Sequence, residues 1–233
     1  MTMSDNQRSD QWHEIWARKF ARRDVPLHHL DGFDLLSEEQ WSALVHCFKK
    51  LVAPVEGKDM MEVGCGAGAF LQYFTDARSL SGIDYIEDAI ETINKHIEGD
   101  FRCAAADILP FADASCDIAL SFGVFFYFDD LDYASRALDQ MLRCLRPDGS
   151  IFLFDVNDAA KKALYEHVRS LENRGKIEQS STKTTHLFYP KEFFIDYANS
   201  RNLDVEIVDE DTLDIPFHSG VQYRYYVKLS PRG

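Results

Sequence analysis

Three glycines and two carboxylates are the residues whose types and spacing could do chemistry. Gly64, Gly66 and Gly68 stand in the run EVGCGAG, Glu62 precedes the first of them by two positions, and Asp84 follows it by twenty. Glycines at alternate positions strip side chains from a turn, so that a ligand can come close to the backbone. Before them Met60, Met61 and Val63 read as a buried strand, and after them Ala67, Phe70, Leu71 and Phe74 share one face at helical spacing. Strand, glycine turn and helix together predict a nucleotide-type binding loop. Gly64-Cys65-Gly66-Ala67-Gly68-Ala69 also satisfies a loose dinucleotide fingerprint. Glu62 argues against that reading, because a carboxylate there would repel a pyrophosphate.

The elements that must position these residues follow from periodicity. Residues 10–22 read as an amphipathic helix with Trp12, Ile15, Trp16 and Phe20 along one stripe, either docked on the core or closing over a ligand. Ser37, with Gln40 three positions on, opens a second helix whose apolar face is Trp41, Leu44, Val45, Phe48 and Leu51. A strand over 79–84 ends at Asp84, which suits two roles: accepting from a pair of ribose hydroxyls, or capping the next helix. Further strands are expected over 101–105, 116–121 and 150–156, with a helix over 131–145 and a proline-glycine turn at Arg146-Pro147-Asp148-Gly149. Helices over 159–171 and 191–199 and a terminal hairpin of 204–209 with 221–229 complete the chain. The polar stretch 172–189 reads as an insertion that ends in His186-Leu187-Phe188-Tyr189-Pro190. His186 has the ordinary pKa for proton removal at neutral pH, about 6.5, although a lone histidine serves structure as readily.

Bulk properties bound the answer. The 233 residues suit one α/β domain with an N-terminal extension. No apolar run approaches membrane-spanning length, and MTMSDNQRSDQ lacks a signal-peptide core, so a cytoplasmic protein is expected. Five cysteines without CxxC spacing suggest reduced, buried thiols and neither a disulfide framework nor a metal site. A net charge of -14 disfavours a nucleic-acid partner.

EVGCGAG resembles motif I of the class I S-adenosylmethionine-dependent methyltransferases. AADILPFADASCDIALS and LRPDGSIFLFD are similar to the regions around that family's third to fifth strands, and WHEIW to the N-terminal lids of its thiopurine and halide or thiol members. The resemblance, closest to the type 11 small-molecule group, implies a Rossmann-like seven-stranded mixed sheet with the last strand antiparallel and an N-terminal helical extension. It divides the chain into an extension or lid, 1–36, and a cofactor-binding domain, 37–233. It implies S-adenosylmethionine held by Trp16, Glu62, Gly64, Cys65, Gly66, Gly68, Asp84, Tyr85, Asp107, Ile108 and Phe122. Phe126, Tyr127, His186 and Tyr189 are expected on the acceptor side, with His186 as a candidate base. The implied activity is methyl transfer to a small-molecule acceptor through an O, N, S or C nucleophile, by a monomer or a homodimer. A protein or RNA methyltransferase, a non-catalytic adenosylmethionine binder and an NAD-dependent oxidoreductase remain as alternatives.

Overall fold

A computed structural model describes residues 5–22, 24–172 and 185–232. Most of the insertion expected over 172–189 lies outside the described residues. Seven strands form one sheet: β1 (Asp59–Val63), β2 (Ser79–Asp84), β3 (Asp100–Cys103), β4 (Cys116–Phe122), β5 (Leu145–Asn157), β6 (Leu203–Asp209) and β7 (Arg224–Pro231). Their order is β3-β2-β1-β4-β5-β7-β6, parallel from β3 to β5, with β7 antiparallel to both neighbours. This is the expected seven-stranded mixed sheet. The strand order reverses at β1 and β4, and such a switch point opens a crevice at the carboxyl ends of the strands.

The helices are α1 (Asp5–Phe20), α2 (Leu27–Leu30), α3 (Glu38–Val52), α4 (Glu87–His96), α5 (Leu131–Cys144), α6 (Lys162–Glu172) and α7 (Lys191–Ser200). α3 starts where the sequence predicts, because Ser37 and Gln40 close a reciprocal capping box. Its apolar face packs on one side of the sheet, with Trp41, Leu44, Val45 and Phe48 against Met60, Leu120 and Phe154. Met61 and Val63 point to the other side, into a core with α5 and α7. Side chains alternate along a strand, so Glu62 lies on the Met60 side, facing Trp41 and Phe70.

Two expectations are corrected. The helix expected after the glycine turn is absent, and only a single 3-10 turn, Leu71–Tyr73, follows. Gly68 at φ +83 interrupts helical backbone, while Ala69, Phe70, Leu71 and Phe74 are buried by tertiary packing instead. The turn at Arg146-Pro147-Asp148-Gly149 does not precede β5 but interrupts it. Leu145 pairs with Cys116 and Ser150 with Ile118, which leaves those four residues as a bulge. No helix among the described residues is long and apolar enough to cross a membrane.

Candidate functional site

Six consecutive backbone N–H groups follow β1, and the protein satisfies all of them. Gly64 and Cys65 donate to the Ile83 carbonyl at 2.8 and 2.9 Å, and Gly68 to the Cys65 carbonyl at 2.9 Å. Gly66 donates to Asp84 Oδ2 at 3.0 Å, and Ala67 and Ala69 donate to Asp31 Oδ1 and Oδ2 at 2.7 and 3.0 Å. The loop therefore has no amide left for a phosphate, which is how glycine-rich loops usually hold one. The glycines also have separate duties. A Cβ on Gly64 would stand 2.3 Å from Val124, one on Gly66 2.3 Å from Asp31 Oδ1, and one on Gly68 2.6 Å from Ile97. Gly64 and Gly66 face the cavity described below, whereas Gly68 lets the loop pack against the helix α4 side.

Asp84 is not the cap of α4, whose N-cap residue is Ile86 without a side-chain cap hydrogen bond; its carboxylate binds two backbone amides instead. Its Oδ2 holds the glycine loop and its Oδ1 accepts from Ile86 N at 2.9 Å, just ahead of α4. Burial pushes its carboxyl up to about 6, against the opposing effect of amide hydrogen bonds and of His13. Asp31, directly after α2, is pushed up to about 7 by burial, which outweighs the two loop amides and Lys19 and is reinforced by Asp84. Burial also raises Glu62 well above the carboxylate range, helped by the charges of Asp31 and Asp84. Glu62 is 2% exposed, and its Oε2 has no hydrogen-bond partner among the described residues.

These groups line a cavity at the switch point with about 1140 Å³ of empty space, open mouth included. Its floor is Glu62, Val63, Gly64, Cys65 and Gly66 with Ile83, Asp84 and Tyr85, and Ala104, Ala105 and Ala106 form one side. Trp12, Trp16 and Phe20 of α1 cover it, and Phe33, Trp41, Phe70, Phe122, Tyr127, Phe128 and Tyr133 complete an aromatic wall. Trp12 and Trp16 meet Tyr127 edge-on at 4.6 and 5.5 Å between centroids. Phe122 stacks on Phe70 at 4.8 Å. Four acids line the space, Asp31, Glu62, Asp84 and Asp129, and no Lys, Arg or His is among the described residues that do so.

The structure brings Trp16, Glu62, Gly64, Cys65, Gly66, Asp84, Tyr85, Phe122 and Tyr127 together at this cavity. The other residues singled out from sequence are not among those that line it. Asp107 pairs with Arg136 at 3.2 Å, and Ile108 is 71% exposed. Tyr189 is fully buried and donates from its hydroxyl to the Phe125 carbonyl at 2.7 Å, and Phe126 lies under the Arg224 guanidinium. His186 stacks on Trp12 at 5.1 Å and packs on Phe126, while its Nδ1 meets the Tyr165 hydroxyl at 2.8 Å. It is thus one layer removed from the cavity, where it orients α1.

Sequence reasoning missed Asp31, Phe33, Trp41 and Asp129 as lining residues. Asp129 and Asp130 in sequence both suit a cap for α5, and it is Asp130 that accepts from Tyr133 N at 2.6 Å, while Asp129 lines the cavity. Behind Gly123, the carboxylate of Asp155, a residue at φ +63, joins His218 at 2.6 Å and Arg224 at 2.7 Å, and its backbone N–H donates to Glu210 Oε1 at 2.8 Å. Asp155, Glu210 and His218 are spaced as metal ligands would be, but the Arg224 guanidinium already supplies the cation there. This buried network fixes the start of β7 against β5.

Comparison with known proteins follows the same lines. Residues 61–153 match the family model described as "Methyltransferase domain". A probable S-adenosylmethionine-dependent methyltransferase of Mycolicibacterium smegmatis is 30% identical over 122 residues, 51% of this chain and 46% of that one. Phosphoethanolamine N-methyltransferase 1 of Arabidopsis thaliana is 29% identical over 161 residues, 65% of this chain and 32% of that one. The mouse probable tRNA methyltransferase 9B is 29% identical over 97 residues, 42% of this chain and 21% of that one. The chain spans less than half the length of these relatives. Among solved structures, Haemonchus contortus phosphoethanolamine N-methyltransferase 1, in complex with phosphoethanolamine and S-adenosylhomocysteine, superposes with a TM-score of 0.71. That match has 16% identity and covers 99% of this chain and 50% of the other, so it is a likeness of fold.

Proposed function

We propose that this chain carries a class I S-adenosylmethionine-dependent methyltransferase domain and methylates a small-molecule acceptor. The observation that carries the proposal is the cavity itself: deep, roofed by aromatic side chains of α1, and lined by four acids with no Lys, Arg or His among the described residues that line it. Two orphaned polar atoms fit a ligand with both a donor and an acceptor. They are Glu62 Oε2 and the Trp12 indole Nε1, each buried with no partner among the described residues. S-adenosylmethionine, when bound, supplies a methyl group already activated on a sulfonium.

The protein's own work is then positioning and exclusion of water. Asp84, at the carboxyl end of β2, has acceptor capacity beyond its two amides for ribose hydroxyls. Ala104, Ala105 and Ala106 leave one side smooth enough for a flat ring. Trp12, Trp16 and Tyr127 place π-faces and edges over the centre of the cavity, where a sulfonium gains about 0.5–2 kcal/mol from an aromatic face. Asp107 and Ile108 serve this arrangement by shaping the strand-three loop, Gly68 by seating the loop on α4, and Phe126 and Tyr189 by backing the acceptor wall. Whatever deprotonation an acceptor needs falls to Asp129 or to solvent at the mouth, since His186 sits behind Trp12 and Tyr127.

Calorimetry separates this reading from its rival. S-adenosylmethionine and S-adenosylhomocysteine are expected to bind and NAD is not, because the loop amides are occupied and a pyrophosphate would meet Asp31 and Glu62. Tight NAD binding would refute the proposal. An RNA acceptor is disfavoured by the net charge of -14 and by the narrow aromatic roof.

A further inference from the structure

The acids of the cavity set a condition on the acceptor. With Asp31, Glu62, Asp84 and Asp129 along it and no Lys, Arg or His among the described residues that line it, an acidic group on the acceptor has no counter-charge inside. A counter-charge stands just outside, on α6. Lys162, Tyr165 and Arg169 share one face of that helix at i, i+3 and i+7, turned towards His186 and Phe188. Tyr165 is buried against Phe188 and Tyr223, at 5.0 and 5.2 Å between ring centroids, which fixes the direction of its hydroxyl. That hydroxyl meets His186 Nδ1 at 2.8 Å and accepts from Arg169 Nη1. His186 in turn lies 5.1 Å from Trp12 and 5.3 Å from Tyr127, both of which line the cavity.

Arg169 differs from the other arginines in its company. Among the arginine side chains that the structure describes, all except Arg18 and Arg169 pair with a carboxylate. Arg18 is exposed and bonds the Glu14 carbonyl of its own helix. Arg169 is half-buried against a phenol and an imidazole, and no described residue accepts from its Nε or Nη2. That edge is the fork that takes a carboxylate or a phosphate in two parallel hydrogen bonds. Cation–π contact with the Tyr165 ring, at 5.7 Å, accounts for the seat of the guanidinium and leaves the fork open. Lys162, over Phe188 at 5.5 Å and in no ion pair among the described residues, adds positive field to the same face. In a chain of net charge -14 this local field is what an acidic small molecule needs in order to approach.

We propose that Arg169, oriented by Tyr165 and His186, is an anion site that holds the acidic group, phosphate or carboxylate, of the methyl acceptor. The site rests on reading the cavity as a methyl-transfer pocket, and it names the class of acceptor: a small molecule acidic at one end, whose nucleophile reaches the cavity past Trp12 and Tyr127. Charge sorts the two ends, because the acidic end is drawn to α6 and repelled by the four acids, so the nucleophile is the end that faces the cavity.

The test takes the full chain, as wild type and as Arg169→Ala, with methyl-labelled S-adenosylmethionine and a cell extract, and passes the acid-soluble labelled product over an anion-exchange resin before and after phosphatase. The wild-type product is expected to be retained; release by phosphatase assigns a phosphate and continued retention a carboxylate. Arg169→Ala should transfer about tenfold less label or worse, with S-adenosylhomocysteine affinity by calorimetry unchanged. Inorganic phosphate should inhibit the wild type and not the residual transfer by the variant. An unretained product, or transfer by Arg169→Ala equal to that of the wild type, would overturn the anion site and leave the methyl-transfer reading intact. Absence of acid-soluble label from the wild type would overturn the small-molecule reading and this site with it. Arg169→Lys, which keeps the charge without the fork, is read in the same way if melting curves show that Arg169→Ala is unfolded.

Discussion

Replacing Gly66 by alanine tests whether Asp31 presses on the loop as closely as the structure shows. Gly66 sits at φ +52, where an L-residue costs about 1–2 kcal/mol. Its new Cβ would stand 2.3 Å from Asp31 Oδ1 and 2.8 Å from Asp31 Cγ, an overpacking that costs about a further 1–3 kcal/mol. Gly57 provides the control, since it lies at φ +70 with nothing within 4 Å of its added Cβ. Gly57→Ala should therefore cost only the backbone share. In an Asp31→Ala background the contact is gone, and Gly66→Ala should drop to the Gly57 value. Urea unfolding of the five proteins gives the coupling directly, expected at about 1–3 kcal/mol. Equal costs for Gly66→Ala and Gly57→Ala in the wild type, or a Gly66→Ala cost indifferent to Asp31, would refute the reasoning.

Asp84→Ala should lower S-adenosylmethionine affinity at least tenfold by calorimetry while near-UV dichroism retains the native signal; unchanged affinity would remove Asp84 from the site. His186→Ala should reduce turnover more than cofactor affinity, because it frees Trp12 to tilt, and Trp12 fluorescence should change with it. Unaltered turnover and fluorescence would mean that the stack has no functional role. Stability of the free protein should fall as pH rises from 5 to 8. Asp31 and Asp84 have folded values of about 7 and 6, above their ordinary value of 3.8, so both contribute stability that is lost as they ionise. At 1.36 kcal/mol per unit these two account for a loss of about 4 kcal/mol over that range, and Glu62, raised well above its ordinary value by burial, adds to it. Asp59 and Asp155, held low mainly against burial by Arg78 and by Arg224 with His218, change only below that window. Stability flat or rising from pH 5 to 8 would show that the two acids are not buried as described.

Much of the fold was legible because short-range rules govern it. The capping box at Ser37, the buried strand of Met60 to Val63 and the strand ending at Asp84 are each set by neighbouring residues, and each stands where expected. The missing helix after Gly68 shows the limit: its apolar spacing is real, but the burial of Phe70 and Phe74 against α3 and the sheet uses those residues without helical backbone. The site divides in the same way. Glu62, Gly64, Gly66 and Asp84 belong to one local strand-turn-strand unit and could be read together. Asp31 could not, because its partners Ala67 and Ala69 are 36 and 38 positions away and only the fold brings them within reach. Phe126 and Tyr189 have the look of acceptor contacts in sequence, yet packing turns them into the backing of the wall.

The central claim is tested most directly by incubating the protein with methyl-labelled S-adenosylmethionine and a cell extract, then separating acid-soluble from precipitated label. Label in a new acid-soluble small molecule is the predicted result and would identify the acceptor. Label confined to the precipitate, or none transferred at all, would contradict the account.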